Sequence, residues 1–95
     1  MQKNCVVQLT KFAEKQITKL PKHIVEALKL WVHMVQSEGV WSVRRRLSYH
    51  DESLKGKRAG ERSVRLSRSY RAIYIEEDEK EVFILAVQEI NKHDY

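Results

Sequence analysis

Three strand-like runs follow one another with almost no chain between them, and this spacing restricts the fold more than any other feature. Residues 63–67 alternate, with Val64 and Leu66 on one side and Arg65 on the other; residues 70–75 are rich in aromatic and β-branched side chains; residues 82–87 are apolar throughout, as in a central buried strand. Ser67-Arg68-Ser69 and Glu77-Asp78-Glu79-Lys80 separate them, both short enough for hairpin turns. Strands joined so tightly run antiparallel, because a parallel pair needs a crossover of a dozen or more residues. Upstream, residues 5–9 read as a short strand. Thr10 is placed to cap a helix in which Phe12, Ala13, Ile17 and Leu20 recur until Pro21 stops the run. Ile24, Leu28, Trp31 and Val35 then mark a second helix, flanked by Val25 and Val32 and ended by Gly39. The two segments form a helical hairpin. Residues 40–61 hold two of the three glycines and no sustained periodicity, so they read largely as loop, and residues 88–95 leave room for no more than a turn or two of helix. The order β-α-α-β-β-β predicts a small α+β domain with the hairpin packed on one face of a mainly antiparallel sheet.

At 95 residues the chain is expected to be a single domain spanning 1–95. No apolar run approaches the ~18 residues of a spanning helix, and the first residues, MQKNCVVQLTKF, lack the apolar stretch of a signal peptide. With one cysteine, Cys5, there is no disulfide framework, so the expected location is cytoplasmic and no membrane contact is expected.

The net charge of +5 is unevenly placed. Residues 41–72 carry ten Lys and Arg against three acids, a local +7, whereas residues 73–95 carry two lysines against seven acids, a local −5. Eight of the ten middle cations are arginine, whose planar fork suits phosphate. Concentration of charge in one stretch favours a polyanion-binding surface over simple solubility. By contrast, Lys11, Lys15 and Lys19 form a helical stripe that reads as a solvated face.

Several chemistries lack their residues. His23 and His33 stand ten apart, His50 and His93 are remote from them, and no HxxxH or CxxC pair exists, so no metal is expected. Cys5 sits in an apolar strand, where a thiol is usually inert. Gly56 and Gly60 lie among Lys55, Lys57, Arg58 and Arg62 without a P-loop pattern. Trp31 belongs to the core face of its helix, and Trp41 is expected to pack a loop rather than RNA. The remaining candidate is a basic loop-and-strand patch. A three-residue turn after residue 66 sets Arg65 and Arg71 opposite each other on one face; a two-residue turn separates them. Like charges facing across a ladder are unfavourable alone, so a shared face suggests an anion between them. The alternative is that each arginine pairs with a surface acid.

The stretch from residue 52 to 74 resembles the "LKG, basic, Gly, S-I-R-L, YR-hydrophobic-Y" core of the RelE/ParE superfamily of type II toxins. Leu54-Lys55-Gly56, Ser63-Val64-Arg65-Leu66 and Tyr70-Arg71-Ala72-Ile73-Tyr74 carry the likeness. It is nearest to the RelE, HigB and YoeB ribonuclease branch, and the helical hairpin before it and His93-Asp94-Tyr95 after it extend it over the chain. The fold so implied is RelE-like.

The resemblance implies metal-independent and cofactor-free cleavage of mRNA on the ribosome, and a cognate antitoxin as protein partner. Attack by a ribose 2′-OH needs a base, cations around the phosphorus and an acid for the leaving 5′-oxygen. By resemblance, Arg71 stabilises the phosphate with Arg65; Lys55 and Glu52 match residues used by HigB-like and YoeB-like members; His93 and Tyr95 match a terminal His and Tyr, here separated by Asp94. Glu52 and His93 divide the base and acid roles in an order left open. Lys57, Arg58, Arg62 and Arg68 are expected to contact RNA phosphates without reading sequence. Two rivals stand beside this reading: a ParE-like gyrase inhibitor that acts by binding, and an inactive RNA-binding relative.

Overall fold

The computed structural model describes residues 4–92. Their order is β1 (Asn4–Leu9), α1 (Lys11–Ile17), α2 (Lys22–Glu38), α3 (Val40–Arg44), a 3₁₀ turn (Leu47–Tyr49), β2 (Glu52–Ser53), a second 3₁₀ turn (Gly56–Arg58), β3 (Glu61–Arg65), β4 (Tyr70–Asp78) and β5 (Val82–Lys92). The strands form one sheet in the order β1-β5-β4-β3-β2, with β1 parallel to β5 and every other pair antiparallel. The α+β architecture expected from the sequence is present, with more elements than expected. Residues 40–61 are not largely loop: they contain α3, two 3₁₀ turns and an edge strand. Val40 and Val43 are fully buried one helical turn apart, which fixes α3 in a segment too short to show periodicity. Among the described residues no helix is long and apolar enough to cross a membrane.

The hairpin helices start and stop as their sequence dictates. Thr10 caps α1 by accepting the amide of Ala13 at 3.1 Å. Gly39, at φ 88°, ends α2 and opens α3, a conformation that favours glycine. Ile24, Leu28, Trp31 and Val35 form the buried stripe of α2 and face the sheet, where Trp31 meets Tyr74 of β4 with ring centroids 5.3 Å apart. Trp41 packs from α3 onto Phe83 of β5 at 4.9 Å. Cys5 is buried, its sulfur accepting the amide of Val40 at 3.5 Å.

Two features of β5 differ from the sequence expectation. Phe83, Leu85 and Val87 are buried while Val82, Ile84 and Ala86 are half-covered, because helices pack on only one face of the sheet. Residues 88–92, read above as a terminal segment, continue the strand. The register shift between Ile73 and Tyr74 leaves Gln88 as an extra residue in β5, a bulge that resets the alternation. Ile90 thereby enters the core, while Glu89 and Asn91 pair with Ile73 and Arg71. The β1 pairing ends at Val87, and α1 takes over beyond it. Thr10 donates to the carbonyl of Gln88 at 2.9 Å, and Gln16 bonds both the N–H and the carbonyl of Ile90, at 2.7 and 2.9 Å.

Candidate active site

The face of the sheet turned away from the helices carries the polar residues. Because β-strand side chains alternate, Ser63 and Arg65 of β3 share it with Arg71 and Ile73 of β4 and, after the bulge, with Glu89 and Asn91 of β5. Edge strand β2 adds Glu52, which pairs with Ser63. Glu52, Leu54, Ser63, Arg71, Ile73 and Asn91 line a concavity of about 150 Å³. At its centre, Arg71 Nη1 donates to Ser63 Oγ at 3.2 Å and lies 3.5 Å from Glu52 Oε1. The Arg71 side chain is 15% exposed and that of Glu52 61%, so the cation is recessed and the carboxylate reaches solvent. A recessed guanidinium beside an accessible carboxylate can hold a phosphate while a base stands next to it.

A buried charge network sets the position of Glu52. The neighbouring Asp51 carboxylate is 2% exposed; it accepts Arg62 Nε at 2.7 Å and the Tyr74 hydroxyl at 2.5 Å, and lies 3.6 Å from Arg44 Nε. Arg44 also donates to Tyr74 Oη at 3.1 Å and pairs with Glu76 at 2.9 Å. Burial pushes the Tyr74 hydroxyl well above the usual tyrosine range, and the charge of Asp51 and its hydrogen bond act in the same direction. Burial opposes the charge on Arg44, and its bonds to Glu76 and Tyr74 outweigh that effect. Arg62 further donates to Ser53 Oγ at 2.8 Å, which ties β2 to the network.

The loop after β2 is latched over the sheet by Arg58. Its guanidinium bonds Glu61 at 2.6 Å and also Glu89, which accepts Asn91 Nδ2 at 3.1 Å. The hydrogen bond from Arg58, then that from Asn91, holds the Glu89 carboxyl below its ordinary range. A depressed folded-state value means that this stabilisation is complete above the ordinary glutamate titration and is lost as pH falls through the folded value. The urea midpoint is therefore expected to drop between about pH 5 and pH 3, with a shallower drop in Glu89→Gln. Equal slopes in the two proteins contradict the latch.

The expected site residues fall into separate groups. Arg65 and Arg71 do pair directly across the ladder, with Ser67-Arg68-Ser69 as the turn. Their side chains diverge: Arg71 enters the concavity with Glu52, whereas Arg65 donates to the Ser67 carbonyl at 3.4 Å and lines a second concavity near the turn. Lys55 and Lys57 are exposed on the loop and do not line the Arg71 concavity. Arg58 and Arg62 are held by the carboxylates described, and Arg68 is exposed on the turn. His93 and Tyr95 lie outside the described residues. Ser63, Asp51 and Asn91 join the site without a sequence pattern that marks them as functional. The direction of Ser63 is detectable all the same, since the alternation that turns Arg65 outward turns Ser63 outward too.

No family model matches the chain, and none of the curated proteins matches it. Solved structures do. YafQ from E. coli strain BL21(DE3) superposes with a TM-score of 0.72 at 15% identity, over 96% of this chain and 93% of that one. The RelBE2 toxin–antitoxin complex from Mycobacterium tuberculosis contains a chain matching at 0.61 and 23% identity, over 93% and 96%. The YoeB/ParE toxin from Agrobacterium tumefaciens matches at 0.63 and 18%, over 94% and 99%. The chain has the fold of the RelE/ParE superfamily toxins over nearly its whole length.

Proposed function

We propose that this chain is the toxin of a type II toxin–antitoxin pair and cleaves mRNA on the ribosome, in the cytoplasm, as a metal-independent endoribonuclease of one domain. The observation that carries the reading is the recessed Arg71 beside the accessible Glu52 on the open face of a sheet with this toxin fold. In the free protein Glu52 pairs with Arg71. An entering phosphate takes the guanidinium and leaves the Glu52 carboxylate to accept the proton of the ribose 2′-OH. The 2′-oxygen forms a bond to phosphorus, the bond from phosphorus to the 5′-oxygen breaks, and His93 supplies the proton that leaves with that oxygen. Charge on the phosphorane is held by Arg71, with Ser63 Oγ, 3.2 Å away, orienting the guanidinium. In this reading Lys55 and Tyr95 join the reacting set, Arg65 is a supporting cation beside it, and Lys57 and Arg68, exposed on the loop and the turn, contact RNA phosphates, while Arg58 and Arg62 stay with their carboxylates.

The protein partner in this reading is a cognate antitoxin, as in the RelBE2 complex, which was solved with its antitoxin. The local +7 of residues 41–72 suits both RNA and an acidic antitoxin segment. Translation of a reporter mRNA in vitro with the purified chain, followed by mapping of the new ends, tests the function. Cuts spaced by codons are expected. An intact message together with blocked DNA supercoiling favours the gyrase-binding rival, and an intact message with unaffected supercoiling favours an inactive relative.

A further inference from the structure

The second concavity, about 470 Å³, is lined by Ser48, Tyr49, Arg65, Leu66, Ser67 and Arg68, between the first 3₁₀ turn and the β3–β4 hairpin. Its two arginines differ from the other engaged cations. Arg44, Arg46, Arg58, Arg62 and Arg71 each have a carboxylate partner, whereas Arg45, Arg65 and Arg68 have none among the described residues, and of these three only Arg65 and Arg68 line the hollow. Two unpaired guanidiniums beside one hollow raise the local positive potential and favour an anion. The walls are already fixed. Tyr49 donates its hydroxyl to Met34 Sδ at 3.7 Å, which turns the polar end inward and leaves the half-buried ring as a wall. Ser67 Oγ accepts the amides of Ser69 and Tyr70 at 3.1 and 3.2 Å, so its own proton remains to be donated. An aromatic wall, an aliphatic wall from Leu66, a hydroxyl donor and two phosphate-seeking forks are the components of a single-stranded nucleic-acid site.

We propose that this concavity is a nucleotide subsite, where one unstacked RNA base lies against Tyr49 and Leu66 while Arg68 and Arg65 hold the adjoining phosphate. Arg65 stands opposite Arg71 in the ladder, so the subsite adjoins the position proposed for the scissile phosphate. The inference rests on the reading of this chain as an RNA-binding toxin, and it adds the place that grips a neighbouring nucleotide. A fluorescein-labelled 2′-O-methyl hexanucleotide serves as probe, because without a 2′-OH it binds without being cut. By anisotropy, Tyr49→Leu is expected to weaken binding about tenfold, the size of a lost base stack. Tyr49→Phe is expected to bind as the parent does, and thermal melting of both variants separates lost stacking from lost folding. Arg68→Ala is expected to weaken binding and to reduce the slope of log affinity against log salt by about 0.7, one phosphate contact.

Parental affinity in both Tyr49→Leu and Arg68→Ala overturns the subsite, whatever happens on ribosomes. A chain that binds the hexanucleotide through these residues but cuts no message upholds the subsite and contradicts the nuclease reading. If the hexanucleotide fails to bind while an oligoglutamate peptide shifts the NMR amide signals of residues 48, 49 and 65–68, the occupant is an acidic protein segment and the RNA assignment is wrong.

Discussion

Replacing Asp51 by alanine is expected to cost about 3–5 kcal/mol of folding stability, the range for breaking a buried ion pair by removing one partner. The carboxylate is 2% exposed and is shared by Arg62, Arg44 and the Tyr74 hydroxyl. Its loss takes the acceptor from the hydroxyl proton of a fully buried tyrosine, whose oxygen keeps only the bond from Arg44, and leaves Arg62 with only Ser53 among the partners described above. Arg44 retains Glu76, which keeps the cost from rising further. For a domain of this size the melting temperature should fall by roughly 12 °C or more. Asp51→Asn preserves the shape and can still accept the tyrosine proton, so it should lose less than the alanine variant. The same change should loosen Glu52, because the network holds β2 through Arg62 and Ser53. Urea unfolding provides the check: a midpoint shift with unchanged m-value is expected, and a cost below about 1 kcal/mol contradicts the assignment of the network.

Arg71→Ala is expected to lower single-turnover cutting of ribosome-bound message by about 10²–10³-fold, the usual loss when one preorganised donor to transition-state charge is removed. The fold should survive, since the Glu52 carboxylate left behind is 61% exposed and can be solvated, and Ser63, a neutral hydroxyl, loses only a donor. Arg71→Lys keeps the charge but not the planar fork that reaches both Ser63 and a phosphate, so it should recover only part of the rate. A parental rate in Arg71→Ala, with the protein folded by circular dichroism, removes Arg71 from the chemistry.

The parts of this molecule legible in its sequence are those with a local cause. The α2 stripe of Ile24, Leu28, Trp31 and Val35 has helical period, Thr10 caps α1, and the short turn after Leu66 aligns Arg65 with Arg71. The parts not legible are fixed by partners distant in sequence. Strand β2 is two polar residues with no pattern of their own, and exists because Ser63 and Arg62 pair with Glu52 and Ser53. The last five residues of β5 look like a terminal tail, yet Thr10 and Gln16 supply hydrogen bonds where β1 has ended. The bulge at Gln88 then directs Asn91 to the Arg71 concavity, a placement that residue spacing alone does not show. The divergence of Arg65 from Arg71 has the same origin, because identical register does not set where long side chains end. Asp51 is illegible for a related reason: a lone aspartate between a histidine and a glutamate carries no pattern until the fold brings two arginines and a tyrosine to it.

The proposed reaction uses the ribose 2′-OH as nucleophile, so the most direct test removes that one oxygen. Ribosomes are programmed with two messages that differ by a single 2′-deoxy substitution at the mapped cut, and the purified chain is added to each. The account predicts rapid cutting of the all-ribose message, with a cyclic phosphate on the upstream fragment, and no cutting at the substituted position. Equal cutting of both messages at that position, or no cutting of either, contradicts it.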